Sequence, residues 1–198
     1  METTQTPELR EKKTFVAEII DFIKFVIVAL IIIVPIRTFI AQPFIVNGDS
    51  MLPTFESGDY LIINEITYRT TDPERGEVIV FRYPGESKRF LIKRIIGLPG
   101  EHIKVAGSTV TITKVDGSIV TINEPYINES FSSYGTWQLN DDEYFVMGDN
   151  RNASSDSRSW GVLHRDRIVG KTLLRLFPIS GIESNPGTYE SSIIEQTN

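Results

Sequence analysis

The run "FIKFVIVALIIIVPIRTFIA", Phe22 to Ala41, limits what the rest of the chain can do. A surface helix shows one apolar stripe and one polar face, but "VIVALIIIV" is apolar all round. Such a segment is either a buried core helix or a membrane element. Its charge-free centre, Phe25–Ile36, spans only roughly 18 Å as a helix. Extended from Phe22 to Ala41 it reaches about 30 Å, the thickness of a hydrocarbon slab. Lys24 and Arg37 then fall near the ends, where long stems carry charge to the interface. Pro35 is tolerable near the end of such a helix. A cleavable export signal fits less well, because Phe39-Ile40-Ala41 has a bulky residue where a small one is needed. The expected division is a tail over 1–18 and a transmembrane anchor over 19–41. Arg10, Lys12 and Lys13 precede the run, and after Arg37 no Lys or Arg appears until Arg69. The positive-inside rule therefore expects a single-pass protein of the cell membrane, N-terminus cytoplasmic and residues 42 onward extracytoplasmic.

The remainder reads as mostly β. "GDYLIINEI", "GEVIVFRY", "FLIKRIIGLPG", "EYFVMGD" and "RIVGKTLLRLF" are short runs rich in β-branched and aromatic residues. Asp116-Gly117 between "STVTITKV" and "SIVTI" is a two-residue hairpin signal. Many short strands with Gly and Pro turns point to an antiparallel sheet or barrel-like domain over 42–180. Residues 128–142, "NESFSSYGTWQLNDD", read as a surface loop, and 181–198 as a disordered tail.

Composition removes several chemistries. The chain has no cysteine, so thiol catalysis, disulfides and Cys-ligated zinc are out. Two histidines, His102 and His164, are too few for most His-rich metal sites. A net charge of −6 gives no basic footprint for nucleic acid.

Three polar groups stand out. Ser50 lies in "IVNGDSMLPTF", nine residues after Ala41 and so at most about 30 Å of chain from it. "GDSML" is not the G-x-S-x-G elbow, and nothing in the sequence brings either histidine to it. Lys93 shares a strand face with Leu91 and Ile95. Packed inward, its ammonium is desolvated and its pKa falls towards that of a useful base. On an edge strand, Lys93 and Arg94 would both point to water instead. "GDNRNASSDSRSWG", 148–161, is either a polar surface loop or a buried network in which Asp156 and Arg158 pair and Ser154 bonds a neighbouring base.

"GDSMLPT", "KRIIGLPGE" and "GDNRNASSDSRSWG", in that order after an N-terminal anchor, resemble bacterial type I signal peptidase from about residue 20 to about 178. The resemblance implies a serine endopeptidase on a largely β fold, removing signal peptides from exported preproteins after small-x-small sites such as Ala-x-Ala. It implies Ser50 as nucleophile and Lys93 as neutral general base, with no metal and no cofactor. Ser154 would orient the lysine amine, Asp156 and Arg158 would form a supporting salt bridge, and Met51 would pack beside the dyad. Phe44–Val46 would pair with substrate, and Phe44, Val46 and Leu91 would line its pockets. Tyr60 falls in a further box of structural character. Gly48 stands where some members carry a serine that helps hold the oxyanion, and Asn152-Ala153 where many have Asp-Asn. The implied partners are preproteins and the lipid bilayer. A non-catalytic membrane-anchored β-domain, a self-cleaving Ser-Lys protease of another kind, and a peptidase dedicated to one substrate are the other readings.

Overall fold

A computed structural model describes residues 15–35 and 41–188. The chain divides into two units, 1–38 and 39–198.

In the first unit, helix α1 runs over Phe15–Pro35. Glu18 sits in its first turn, where a carboxylate complements the helix dipole. The backbone has no helix-breaking residue until Pro35. Phe22, Phe25, Ile27, Ile31 and Ile33 are each more than half exposed, so apolar surface stands open around the helix. Two findings bear on the expected anchor over 19–41. Ala41 opens a β-strand and pairs with Asn64. Among the described residues, no helix is long and apolar enough to cross a membrane. The physical reason is that Glu18, Asp21 and Lys24 occupy the first half of α1, Lys24 lying 3.7 Å from Asp21. Residues 36–40, with Arg37, lie outside the described residues.

The second unit is antiparallel β, as expected. Its strands are β1 (Ala41–Ile45), β2 (Tyr60–Asn64), β3 (Val78–Arg82), β4 (Phe90–Gly97), β5 (His102–Gly107) and β6 (Thr109–Thr113), followed by β7 (Ile119–Thr121), β8 (Ser133–Gln138), β9 (Glu143–Met147), β10 (Leu163–His164), β11 (Ile168–Phe177) and β12 (Glu183–Ser184). Two four-residue helices, α2 (Thr67–Thr70) and α3 (Ser157–Trp160), interrupt them. One sheet runs β1-β2-β11-β3-β4-β9-β10, with β12 added to β11, and the other runs β7-β6-β5-β8. The hairpin at Asp116-Gly117 joins β6 and β7, with Gly117 at φ +84° and Asp116 accepting from the Ser118 N–H. Tyr60 is a sheet residue, opposite Ile45 on one side and Phe177 on the other.

Two expectations fail here. Residues 133–138 of the expected loop form β8, paired along its length with β5. Gly135 leaves room for the Trp137 ring, which packs on Phe145 at 4.6 Å between centroids. The expected tail is structured as far as Thr188: β12 pairs with β11, and the Thr172 hydroxyl donates to Pro186 O at 3.0 Å. Residues 189–198 lie outside the described residues.

The second sheet packs Ile103, Val105, Val110 and Ile112 onto Ile96, Phe145 and Met147 of the first. A separate cluster of Val46, Met51, Phe55, Leu61, Ile63, Val78 and Val80 seats the chain between β1 and β2. Strand β4 is internal, between β3 and β9. From Lys93 to Gly97 every side is covered, which rules out the edge-strand reading of Lys93 and Arg94.

Candidate active site

The turn after β1 carries Ser50. Val46 N–H donates to Asp59 O and Gly58 N–H to Val46 O, both at 2.9 Å, which closes the loop at its base. Gly48 has φ +95°, a conformation that a Cβ penalises. Met51 is fully buried and its carbonyl accepts from the Phe55 N–H at 2.9 Å. Ser50 is thus followed directly in the chain by a residue buried in the apolar cluster.

Lys93 approaches from β4, where it stands opposite Ile79. It is 2 % exposed, and its Nζ donates to Ser50 Oγ at 2.6 Å and to Ile92 O at 2.8 Å. Among the described residues no carboxylate lies within ion-pair distance of it. Burial pushes its pKa down to about 8, opposed by the more distant carboxylates of Asp156 and Asp149 and aided by Arg89. A hydroxyl within hydrogen-bond reach of an amine that deprotonates near neutral pH is the arrangement that nucleophilic catalysis needs. No histidine among the described residues bonds Ser50: His102 is on β5, and His164 faces Asp142 at 3.4 Å.

A groove of about 270 Å³ opens over this pair. Phe44, Val46 and Leu91 line it with Ser50 and Lys93, and Leu61 and Val80 form its buried floor. Phe90, not foreseen, closes one end by an edge-on contact with Phe44 at 5.3 Å. Two backbone edges flank the groove. β1 is the outer strand of its sheet. On β4, residues 90–93 pair with β3 on one side, while β9 pairs only with Arg94, Ile95 and Gly97 on the other.

A family model described as "Signal peptidase, peptidase S26" matches residues 19–177. The chain belongs to that family. It is 37 % identical over 189 residues to a protein of a Synechocystis species named probable signal peptidase I-2, covering 86 % of this chain and 84 % of that one. It is 36 % identical over 179 residues to signal peptidase I P of Bacillus subtilis subsp. natto, covering 84 % and 93 %. A crystal structure of a signal peptidase I from Enterococcus faecalis overlaps 51 % of this chain and 97 % of its own, at a TM-score of 0.45 and 28 % identity. The chain is accordingly a hydrolase, a serine endopeptidase of the signal peptidase I kind.

The loop after β9 supports the site. Asp156 is fully buried and binds Arg158 through both oxygens, each at 2.8 Å. It also caps α3 by accepting from the Arg158 N–H at 3.2 Å, and accepts from the Gly148 N–H at 3.1 Å. One carboxylate therefore ties the start of the loop to its end. The expected Ser154 contact is not present. Ser154 Oγ is buried and without a hydrogen-bond partner, and Lys93 gives its bonds to Ser50 and Ile92. Ser154 lies instead over Gly148, where any side chain would strike both Ser154 Oγ and the Ser50 carbonyl. Asn152 bonds Ser130 O at 3.2 Å, and the Ala153 N–H bonds Asn150 O at 3.1 Å, so the loop holds its turn at both unusual positions.

Buried ion pairs at Arg94 and Arg151 were not expected. Arg94, fully buried, meets Asp149 at 2.9 and 2.6 Å and donates to Gly76 O and Gly187 O. Asp149 also accepts from Thr54 Oγ1. Arg151 pairs with Glu124, whose carboxylate accepts from Tyr126 OH at 2.7 Å. The only signal was a guanidinium inside an apolar strand, "IKRII", and one just after "YFVMGD".

Proposed function

We propose that this chain removes signal peptides from exported preproteins by a Ser50–Lys93 dyad. The observation that carries the reading is the 2.6 Å contact between Lys93 Nζ and Ser50 Oγ inside an apolar, carboxylate-free pocket. With its pKa lowered to about 8, about a tenth of the amine is neutral at pH 7 and can take a proton.

The substrate lies as an extended strand between the edge of β1 and that of β4, with backbone pairing for affinity and the groove for specificity. The groove is small and closed by Phe44 and Phe90, which suits Ala-sized side chains on alternate residues of an extended strand. Neutral Lys93 accepts the Ser50 proton as Oγ attacks the carbonyl after the small residue. The oxyanion is held by backbone N–H groups including that of Ser50, because Gly48 supplies no hydroxyl. The Lys93 ammonium then protonates the departing amine, freeing the mature N-terminus. A water gives a proton to Lys93 as its oxygen attacks the ester carbonyl, and as the Oγ–acyl bond breaks the Lys93 ammonium returns that proton to Ser50 Oγ, releasing the signal peptide with a free carboxyl end and restoring both residues. Ser154 Oγ, unpartnered in the free enzyme, is available to steer the amine through these transfers.

The N-terminal segment attaches the enzyme to the membrane, with the domain from residue 42 on the extracytoplasmic side. The open apolar surface of α1 and the asymmetry of basic residues around it support this. Sharing a membrane with the preprotein raises the effective concentration of each for the other.

The test is cleavage of an Ala-x-Ala preprotein in detergent or lipid by wild type, Ser50→Ala and Lys93→Met, each shown to be folded. The reading expects cleavage after the small residue by wild type alone. Retained cleavage by Lys93→Met would remove the dyad, and by Ser50→Ala the nucleophile. Protease accessibility in sealed vesicles tests the sidedness, with protection of the N-terminal tail and exposure of the domain expected from right-side-out vesicles.

A further inference from the structure

Asn150 bonds two backbone groups of the nucleophile's turn and one of its own loop. Its N–H donates to Ser50 O at 3.1 Å, its Nδ2 donates to Asp49 O at 3.1 Å, and its Oδ1 accepts from the Ala153 N–H at 3.3 Å. The amide orientation is forced, because a carbonyl can only accept and an N–H can only donate. Asp49 O also accepts from the Leu52 N–H at 3.2 Å, so both its lone pairs are engaged. Asp49 O and the Ser50 N–H belong to one peptide unit. In a trans peptide the two point in opposite directions, and fixing one fixes the other. The Ser50 N–H has no hydrogen-bond partner among the described residues. Asn150 lines a second cavity, of about 190 Å³ beside Leu52 and Pro53, while Ser50 lines the groove.

We infer that Asn150 is a positioning residue that aims the Ser50 N–H at the developing oxyanion by clamping the Asp49–Ser50 and Ser50–Met51 peptides. A peptide whose carbonyl accepts two hydrogen bonds is also polarised, which makes its N–H a stronger donor. Donors of this kind act only if they are already in place when charge develops, so their alignment appears in kcat and not in substrate binding. The inference rests on Ser50 being the nucleophile.

The experiment uses the full chain in detergent micelles, with Asn150→Asp, Asn150→Ala, Asn152→Ala and Ser50→Ala. Steady-state cleavage is measured, with the affinities of an Ala-x-Ala peptide aldehyde and of the product peptide with a free carboxylate. The aldehyde forms a hemiacetal with Ser50 Oγ and places an oxygen where the oxyanion would sit. Asn150→Asp keeps the acceptor for the Ala153 N–H, replaces the side-chain donor by an oxygen and adds a negative charge, which the uncharged Asn150→Ala separates from loss of the donor and which rates taken at a pH that protonates the carboxylate separate in the aspartate variant itself. It carries the test if Asn150→Ala fails to fold. Both Asn150 variants are expected to lose about 10- to 100-fold in kcat, below the ~10²–10³ of deleting a donor outright. KM should stay within about twofold. Aldehyde affinity should fall by the factor lost in kcat, product affinity should hold, and Asn152→Ala should behave as wild type. Wild-type kcat in Asn150→Asp, or lost kcat with aldehyde affinity intact, would overturn the inference. Cleavage by Ser50→Ala would be a failure of the nucleophile assignment instead, visible before any Asn150 variant is read.

Discussion

Lys93 and Arg94 are neighbours on β4, both cationic types and both buried, at 2 % and 0 % exposure. Arg94 is met by a bidentate carboxylate, Asp149, and by two backbone carbonyls. Lys93 is met by a hydroxyl and one carbonyl. The side chains leave opposite faces of one strand, so a single residue of register separates a structural cation from the proposed base. Burial alone does not make a catalyst. Where a carboxylate accompanies the cation, the desolvation cost is offset and the charge is locked in place. Where none does, the cost falls on the protonated form and the proton is readily given up.

The contrast can be broken most severely at the dyad. Ser50→Ala and Lys93→Met should each lower cleavage by at least about 10³-fold, measured as kcat/KM on a preprotein. On the Arg94 side the loss should appear in stability. Asp149→Ala leaves a buried guanidinium without its carboxylate and should cost about 3–5 kcal/mol in denaturant unfolding. Activity in that variant should fall with the folded fraction, and the acidic limb of its rate profile should move to lower pH, because Asp149 no longer opposes the lowering of the Lys93 pKa.

Stability should move the other way at Lys93. The folded protein releases the Lys93 proton at about 8 and the unfolded chain at 10.5. Between these values the unfolded state binds more protons, so this group makes stability rise with pH. Below pH 8 the full penalty of about 3 kcal/mol is present. Lys93→Met should therefore stabilise the fold by up to that amount at pH 7, with the gain shrinking to nothing near pH 10.5. An equal gain at both pH values would mean that packing, and not charge, is responsible.

The smallest effect should come from Ser154. Its buried hydroxyl has no partner in the free enzyme. Ser154→Ala should raise stability by about 1 kcal/mol and lower kcat by roughly tenfold. Loss of stability would show that the hydroxyl is satisfied after all.

Much of this could be read from the sequence because it rests on local pattern. Asp116-Gly117 set its hairpin, alternation in "FLIKRII" set β4, and the motifs that singled out Ser50, Lys93, Asp156 and Arg158 hold two pairs that meet in the structure, Lys93 with Ser50 and Arg158 with Asp156. What could not be read depends on contacts between distant residues. The Ser/Gly-rich composition of 128–142 hid β8, whose partner β5 lies about thirty residues away. The Ser/Glu/Asn-rich end of the chain hid the carbonyl of Gly187 that Arg94 needs. The contact of Phe90 with Phe44 joins two strands that do not pair with each other. The apolar run was visible, but its division into α1 and the start of β1 was not, because "RTFIAQPFIV" suits either element.

The measurement that goes most directly to the central claim is the titration of Lys93 by NMR, with the rate profile taken on the same sample. The Nζ signal, assigned by its loss in Lys93→Met, should show a midpoint at about pH 8, and the acidic limb of kcat/KM should fall at the same value. A midpoint near 10.5, or a rate limb that ignores the Lys93 midpoint, would contradict the account of Lys93 as a base made by burial.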